Sequence, residues 1–329
     1  MTVLVVGGAG YIGSHVVRRL DEEGHDIVVF DNLVTGRADM VLGGRLIAGD
    51  LADREALDVL FAGHDFDSVM HFAASTVVSD SVALPLAYYR NNVSNTINLL
   101  EACDRHGVGK LIFSSTGAVY GATAKSPIAE NVNLEPINPY GASKMMSERI
   151  IADYGLASGM AYVNIRYFNV AGADPGGRIG GCKDPPTLLI PLALRAALGL
   201  GAGLSIYGED YPTPDGTCIR DYIHVEDIAQ AHLDALRFLA AKDQSITVNC
   251  GYGHGHSVRE VIDTVRSVTG VDIPVIAGPR RPGDPSEVVA DSTLIRNVLG
   301  WTPKYDDLET IIRHAYKWEQ KRLIDAPAA

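Results

Sequence analysis

The N-terminal stretch "VLVVGGAGYIGSHVV" constrains the fold more than any other part of the sequence. An apolar run predicts a buried strand at residues 2–6, and the pattern that follows predicts a helix at residues 12–23. Gly7, Gly10 and Gly13 stand between the strand and the first turn of that helix. Such glycines allow a tight turn and let a pyrophosphate approach the helix N-terminus. The spacing alone is equally compatible with an ordinary turn, so the rest of the chain must decide.

Strand and helix patterns alternate through the first half of the chain. Further strands are predicted at residues 26–31, 45–50, 68–73, 110–115 and 161–168, and further helices at residues 53–61, 84–106 and 139–158. This alternation predicts an α/β fold with a doubly wound, parallel Rossmann sheet. The second strand ends in Asp31. A carboxylate there can bind the adenosine ribose and repel a 2′-phosphate, which favours NAD over NADP.

The texture of the sequence changes near residue 170. The segment "AGADPGGRIGGCKDPP" is rich in glycine and proline and predicts a loop. The helices predicted after it lie near residues 226–240, 257–268 and 307–322. We therefore predict an NAD-binding Rossmann domain at residues 1–169 and a smaller, mixed α/β substrate domain at residues 170–329. Some later segments could return to pack on the first sheet.

Charge and cysteine content limit the partners of the chain. Its 28 Lys and Arg against 40 Asp and Glu give a net charge of −12, and no basic run occurs. This composition argues against nucleic acid and anionic membranes as partners. The four cysteines have no metal-like spacing, so we expect reduced thiols, no metal site and a cytoplasmic location. The N-terminus enters a strand directly and no apolar run is long, so neither a signal peptide nor a membrane span is expected.

The segment "NPYGASKMM" predicts the start of the helix at residues 139–158 and places two reactive side chains on it. Asn138 is typical of an N-cap, and Pro139 suits the first helical position. Tyr140 and Lys144 are four residues apart and so share one helix face. A phenol ordinarily has a pKa near ~10. A nearby cation lowers that pKa, so the pair predicts a base that works near neutral pH.

Motifs spread over nearly the whole chain together resemble the extended short-chain dehydrogenase/reductase family, and most closely its UDP-glucose 4-epimerases. The blocks are "GGAGYIGSH", "HFAA", "YYRNNV", "FSSTGAVYG", "PYGASK", "RYFNVAGADP", "PTPDGTCIRDYIHV" and "RRPGD". Several lie in predicted loops, where packing alone does not dictate the residues. The resemblance implies NAD as a tightly bound cofactor, a UDP-sugar as substrate, and a homodimer formed by the helices at residues 84–106 and 139–158.

The resemblance also implies a set of cofactor contacts in the glycine loop, at the neighbouring strand ends and on the Tyr-Lys helix. These residues are Gly7, Gly10, Tyr11, Ile12, Gly13, Asp31, Asn32, Asp50, Leu51, Phe72, Ala73, Ala74, Asn91, Tyr140, Lys144 and Phe168. At one point the chain departs from the pattern, because Thr76 stands where the family often has a lysine.

A reacting centre of Thr116, Tyr140 and Lys144 is implied as well, with threonine where the family usually has serine. Tyr140 would take the proton of the sugar 4-hydroxyl while the C4 hydride passes to NAD⁺. Thr116 would hydrogen-bond the same oxygen, and Lys144 would hold the nicotinamide ribose and stabilise the phenolate. The 4-keto sugar would then turn over and receive the hydride on its other face. The implied substrate-binding residues are Thr116, Tyr140, Asn169, Tyr207, Arg220, Arg281, Asp284 and Val288.

Other activities are weighed against this one. Related 4,6-dehydratases generally carry Asp-Glu directly after the Ser/Thr, whereas this chain has Gly117 and Ala118, which disfavours dehydration. A UDP-pentose or UDP-uronate 4-epimerase shares the chemistry and stays open, as does a non-catalytic NAD(H) sensor on the same fold. Arg220 could form a structural salt bridge with Asp221 instead of binding substrate. Val288 stands where a family tyrosine narrows the sugar pocket, so we expect room for N-acetylated UDP-hexoses.

Overall fold

A computed structural model describes residues 1–122, 125–201, 203–281 and 283–325. Its strands, in chain order, are β1 Thr2–Val6, β2 Asp26–Asp31, β3 Arg45–Ala48, β4 Ser68–His71, β5 Lys110–Thr116, β6 Ala161–Tyr167, β7 Asn169–Ala171, β8 Leu204–Tyr207, β9 Ile219–Arg220, β10 Tyr222–His224, β11 Ile246–Cys250, β12 His256–Ser257, β13 Val275–Gly278 and β14 Glu287–Val288. Seven of these strands form one parallel sheet in the order β11-β6-β5-β4-β1-β2-β3. The predicted Rossmann sheet is therefore confirmed.

The helices cover both faces of this sheet. They are α1 Tyr11–Glu22, α2 Arg54–Ala62, α3 Val78–Ala83, α4 Pro85–Tyr88, α5 Asn95–Arg105, α6 Pro139–Ser158, α7 Leu189–Ala197, α8 Val225–Lys242, α9 Val258–Thr269, α10 Thr293–Leu299 and α11 Leu308–Asp325. Alternate side chains of β1 enter opposite cores, as the pleat of a strand requires. Val3 and Val5 pack with α1 and α8, whereas Leu4 and Val6 pack with α2 and α5.

The predicted element boundaries can be compared with the observed ones. The strands at residues 2–6 and 26–31 and the helix at residues 139–158 have the predicted bounds. The predicted helix at residues 84–106 instead consists of α4, a π-helical segment Tyr89–Ser94 and α5. In this wider turn the Asn92 carbonyl accepts hydrogen bonds from the hydroxyls of Thr96 and Ser147. Side-chain hydrogen bonds of this kind stabilise a local π-bulge, which hydrophobic periodicity does not reveal.

Segments from the second half of the chain pack on the first sheet. Strand β11 pairs with β6, and α8 packs against α1. The remaining strands form three small sheets, which pair β7 with β10, β8 with β13, and β9 with β12 and β14. The division into domains at residues 169 and 170 remains a prediction. No helix in the described part of the chain is long and apolar enough to cross a membrane.

Candidate active site

The loop between β1 and α1 is shaped by its glycines. Gly7 has a φ of +80°, and a Cβ on it would lie 2.5 Å from the backbone nitrogen of Ala73. A Cβ on Gly13 would lie 2.3 Å from the carbonyl oxygen of Gly7. Gly10 is different, because the nearest atom to its Cβ would be that same oxygen at 3.3 Å. The fold itself therefore requires glycine at the outer two positions and only mildly at the middle one.

The N-terminus of α1 offers an anion site at Gly10. Gly10 is the N-cap of the helix and makes no side-chain capping bond, and the described first turn holds no acidic residue. The first backbone N–H groups of a helix have no partner inside the helix and attract a phosphate. Tyr11 contributes its backbone here, since its phenol donates a hydrogen bond of 2.7 Å to the Gly172 carbonyl. The Ile12 side chain packs on the core below.

The carboxyl ends of β2 and β3 bring together the residues expected at the adenosine. Asp31 is buried, and its carboxylate accepts hydrogen bonds from the backbone nitrogens of Ala9 at 2.9 Å and Leu33 at 2.8 Å. Asn32 donates a bond of 2.8 Å to the Asp50 carboxylate. Each carboxylate oxygen has a second lone pair for a ribose hydroxyl. Leu51 is 5% exposed and belongs to the core, so little of its side chain is left for a ligand.

The segment after β4 lies beside the glycine loop. The backbone nitrogens of Phe72 and Ala73 both donate to the Val6 carbonyl, at 2.7 and 3.1 Å. Ala74 continues this segment, and Asn91 from the π-helical turn donates to the Ser75 hydroxyl at 3.1 Å. The cofactor residues expected after β4 thus lie near the carboxyl end of that strand.

Thr116, Tyr140 and Lys144 meet at the end of β5. The Asn138 side chain accepts a hydrogen bond from Gly141 N at 2.8 Å and so caps α6 where the sequence predicts. This start places Tyr140 in the first turn of α6, where the Thr116 hydroxyl hydrogen-bonds its phenol. One turn further on, Lys144 Nζ donates to the Ser114 carbonyl at 2.8 Å. The predicted reacting groups therefore share one buried corner.

The titration of this corner corrects one expectation. Burial raises the pKa of Tyr140 to about 12, which the hydrogen bond from Thr116 only partly offsets. Burial also lowers the pKa of Lys144 to about 7, against the opposing effect of the Glu148 carboxylate. In the polypeptide alone the pKa of Tyr140 is therefore raised, and not lowered as the sequence predicts. The ammonium bonds the Ser114 carbonyl and lies 4.6 Å from the centre of the Phe113 ring.

Four of the residues expected to bind substrate form two pairs. Arg220 makes an ion pair with Asp284, and not with Asp221 as the structural alternative supposed. The carboxylate of Asp221 instead accepts backbone N–H bonds, for example from Tyr252 at 3.0 Å. In the second pair, the Arg281 guanidinium lies 4.0 Å from the centre of the Tyr207 ring.

The pair of Arg220 and Asp284 connects to the reacting corner through Val288. Val288 and Arg220 are partners in the register of β14 and β9. The Val288 side chain packs in a hydrophobic cluster with Phe168 and with Val119, which lies three residues after Thr116. Asn169, next in the chain, begins β7 and donates its backbone N–H to the Asp221 carbonyl at 3.1 Å. The strand that carries Arg220 therefore packs, through Val288, next to the residues that follow β5.

Comparison with known proteins decides the family. Residues 3–251 match the model of the NAD dependent epimerase/dehydratase family. The chain belongs to this family. It is 51% identical to the UDP-glucose 4-epimerase of Azospirillum brasilense, over 97% of this chain and 92% of that protein. A crystal structure of UDP-glucose 4-epimerase from Brucella ovis in complex with NAD is 46% identical and has a TM-score of 0.94, over 96% of this chain and 97% of that one. The UDP-Glc/GlcNAc 4-epimerase of Campylobacter jejuni is 45% identical with a TM-score of 0.87, over 97% and 99%.

Gly117 follows Thr116, at the position where an acidic residue is expected in a dehydratase. A Cβ on Gly117 would lie 2.8 Å from a ring carbon of Phe168. The acidic side chain that a dehydratase needs could therefore enter only if Phe168 moved. The position of the Phe168 ring thus favours glycine at residue 117.

Several residues next to the expected cofactor and reacting residues were not identified from the sequence. The hydroxyls of Ser114 and Tyr167 hydrogen-bond each other, and the Ser114 carbonyl accepts from Lys144. The Gly172 carbonyl accepts a hydrogen bond from the Tyr11 phenol. The only sequence signal for them was their place inside the "FSSTG" and "RYFNVAG" blocks. The described residues contain no group of three or more His, Cys, Asp or Glu side chains that could hold a metal ion.

Proposed function

We propose that this chain interconverts UDP-glucose and UDP-galactose by reversible oxidation at C4 of the sugar. The observation that carries the proposal is the meeting of Thr116, Tyr140 and Lys144 at the end of β5, two strands along the sheet from β1, which leads into the glycine loop. The relatives named UDP-glucose 4-epimerase, at 46–51% identity over nearly the whole chain, support the same reaction.

The residues present fit NAD as the cofactor. The N-terminus of α1 at Gly10 would hold the pyrophosphate, because a Cβ there would fill space that the fold leaves open. Asp31 would accept the adenosine ribose hydroxyls, and its charge would disfavour a 2′-phosphate. When bound, NAD supplies the hydride acceptor and donor that inversion of an unactivated carbinol centre requires.

The side chains of the reacting corner move and hold the proton. Tyr140 accepts the proton of the 4-hydroxyl and returns it to the same oxygen after the 4-keto sugar has turned over. Thr116 hydrogen-bonds that oxygen and the phenol. Lys144, as an ammonium, stabilises the phenolate. Because oxidation and reduction cancel, no external reductant is consumed.

The arginine pairs account for binding of the diphosphate in an acidic protein. Arg220 and Arg281 present planar guanidinium groups suited to phosphate oxygens. Asp284, already paired with Arg220, would accept from the uridine ribose, and Tyr207 would face the uracil. Asn169 adds a neutral donor beside them.

The function is tested with purified protein, no added cofactor and a panel of UDP-sugars whose products are resolved. We expect conversion of UDP-glucose and UDP-galactose, and Tyr140→Phe should reduce turnover roughly 10²- to 10⁴-fold while UDP still binds. A non-catalytic sensor would bind NAD and convert no sugar. Exclusive conversion of UDP-pentoses or UDP-uronates would move the assignment to those 4-epimerases.

Substrate breadth follows from Val288. This partly buried valine beside Phe168 is smaller than tyrosine, which leaves space next to the sugar for an N-acetyl group at C2. The C. jejuni neighbour, named as a UDP-Glc/GlcNAc enzyme, supports this breadth. We expect turnover of UDP-GlcNAc, and Val288→Tyr should lower its rate relative to that of UDP-glucose. An unchanged ratio would contradict this assignment.

A homodimer and a cytoplasmic location complete the proposal. Leu86 on α4 is 73% exposed, and it lines a cavity of about 360 Å³ together with residues of the π-helical segment and the exposed Met146 on α6. Ile97 on α5 is exposed as well. Such an apolar face suits a two-fold interface. Leu86→Glu should give a monomer by light scattering with an unchanged circular dichroism spectrum, and a dimer of unchanged mass would contradict the interface. The four free cysteines fit a reducing compartment.

A further inference from the structure

Three consecutive residues at the end of β5 hold three successive turns of α6. Each contact uses a polar group of the strand and a side chain on one face of the helix, because the helix residues follow at intervals of four. Thr116 bonds Tyr140, the Ser114 carbonyl accepts from Lys144, and the Ser115 hydroxyl donates to Glu148. The third contact lies outside the mechanism described above. Its carboxylate is 5% exposed.

A second strand also holds this carboxylate. Arg166 on β6 donates to Glu148 from Nε at 2.9 Å and from Nη2 at 2.5 Å, and its other terminal nitrogen donates to the Tyr120 hydroxyl at 2.8 Å. Glu148 therefore joins α6 to both β5 and β6. The free energy of desolvating two buried charges offsets much of their mutual attraction. Apolar side chains of similar size often stabilise a fold equally well. The ion pair is thus better explained by placement of the helix than by stability.

The charge of Glu148 also acts on Lys144. Around the ammonium lie the Ser114 carbonyl and Phe113 ring from β5, His71 from β4, and Glu148 from its own helix. His71 is neutral near pH 7, because burial and Lys144 lower its pKa to about 3. Burial lowers the pKa of Lys144 to about 7, and Glu148 opposes this shift. Arg166 carries the opposing positive charge on the far side of Glu148.

We propose that Glu148, held by Arg166 and Ser115, is a positioning residue for the reaction. It sets the register of α6 on β5 so that Tyr140 and Lys144 meet Thr116, and its negative charge favours the ammonium form of Lys144. This inference rests on the proposed function, since it concerns the geometry of that reacting corner.

The test compares two variants that break the same ion pair, Glu148→Gln and Arg166→Gln. Both should lower kcat roughly tenfold or more with little change in KM, because small displacements of reacting groups are costly. The pH profiles of kcat should separate them. The alkaline limb is expected to report loss of the Lys144 proton. Glu148→Gln removes the negative charge and leaves Arg166 unpaired, which lowers the pKa of Lys144, so this limb moves to lower pH. Arg166→Gln leaves the carboxylate unopposed, so that limb moves to higher pH.

Two further variants control for loss of stability. Glu319→Gln removes an equally buried carboxylate, 6% exposed and paired with Arg322 on α11, and should lower Tm without moving kcat or the pH limb. Ser115→Ala keeps the ion pair and removes only the link to β5, so it should lower kcat with a nearly unchanged Tm and bound NAD content. It decides the question alone if the charge variants do not fold.

The outcomes separate the inference from the proposed function. A wild-type protein that converts no UDP-hexose refutes the function and the inference together. Active wild type with unchanged kcat in Ser115→Ala and Glu148→Gln refutes the inference alone. Limbs that shift in the same direction in Glu148→Gln and Arg166→Gln refute the electrostatic role of Glu148.

Discussion

Gly10→Ala and Gly13→Ala should have opposite consequences for folding and for cofactor binding. A Cβ on Gly13 would meet two backbone atoms, the Gly7 oxygen at 2.3 Å and the Gly8 Cα at 2.8 Å. Neither atom can rotate away, so α1 must shift from the loop. Overpacking of this kind costs about 1–3 kcal/mol. For a chain of this size we expect Tm to fall by several degrees.

The same substitution at Gly10 meets only the Gly7 oxygen at 3.3 Å, which a shift of a few tenths of an ångström relieves. The φ of −80° at Gly10 is accessible to alanine. Replacing glycine by alanine at an N-cap costs about 0.5–1 kcal/mol, and the less flexible unfolded chain returns about 0.4–1 kcal/mol. The stability of the polypeptide should therefore hardly change. The new methyl group nevertheless stands where the pyrophosphate approaches, and each lost bond to a charged group costs about 1.5–3 kcal/mol.

The assay measures NAD released on denaturation of the purified proteins, together with Tm before and after NAD is added. We expect Gly10→Ala to retain the cofactor-free Tm, to lose most bound NAD and to gain little Tm from added NAD. Gly13→Ala should melt early in either condition. A Gly10→Ala protein with a full complement of NAD would refute the placement of the pyrophosphate, and a Gly13→Ala protein that melts like wild type would refute the steric reasoning.

Three further predictions concern an arginine expected to bind substrate, the carboxylate expected at the adenosine, and a buried histidine. Arg281→Ala should raise the KM for UDP-glucose roughly tenfold or more with kcat retained, whereas Arg280→Ala, whose guanidinium is held by Asp210 and Tyr211, should change steady-state kinetics much less. Asp31→Asn should weaken the preference for NAD over NADP in titrations of cofactor-free protein. Burial lowers the pKa of His224 to about 3, so the unfolded chain takes up its proton first, and Tm should fall as pH drops from about 6.5 towards 3. His224→Asn, which keeps an acceptor for the Glu226 N–H, should flatten that decline.

The sequence predicts the sheet well because its strands are buried on both faces. The apolar run of β1 and the capping signals at Asn138 and Pro139 are local, so their boundaries can be read without tertiary information. The π-helical turn at Tyr89–Ser94 depends on partners distant in sequence, such as Ser147, and no local pattern reports it. Likewise, the ion pair between Arg220 and Asp284 joins strand β9 to the loop before β14, and only the fold brings these residues together.

The site shows a second limit of sequence reasoning. Helical spacing correctly places Tyr140 and Lys144 on one face, but it does not say how deeply that face is buried. The strength of desolvation depends on everything packed around the corner, including Phe113 and His71, and it reverses the expected direction of the Tyr140 pKa. A motif thus identifies the groups, and their protonation has to be calculated from their surroundings.

Burial of the phenol has a consequence for the order of events in the reaction. A pKa raised to about 12 keeps the phenol protonated near neutral pH in the polypeptide alone. The Thr116 hydrogen bond is already included in that value, so the remaining stabilisation must come from charge. Lys144 supplies part of it only while protonated, which is the form that Glu148 favours. Oxidised NAD, when bound, would bring a further positive charge. We therefore expect Tyr140 to stay protonated until the oxidised cofactor is bound, which would couple loss of the sugar hydroxyl proton to the presence of a hydride acceptor.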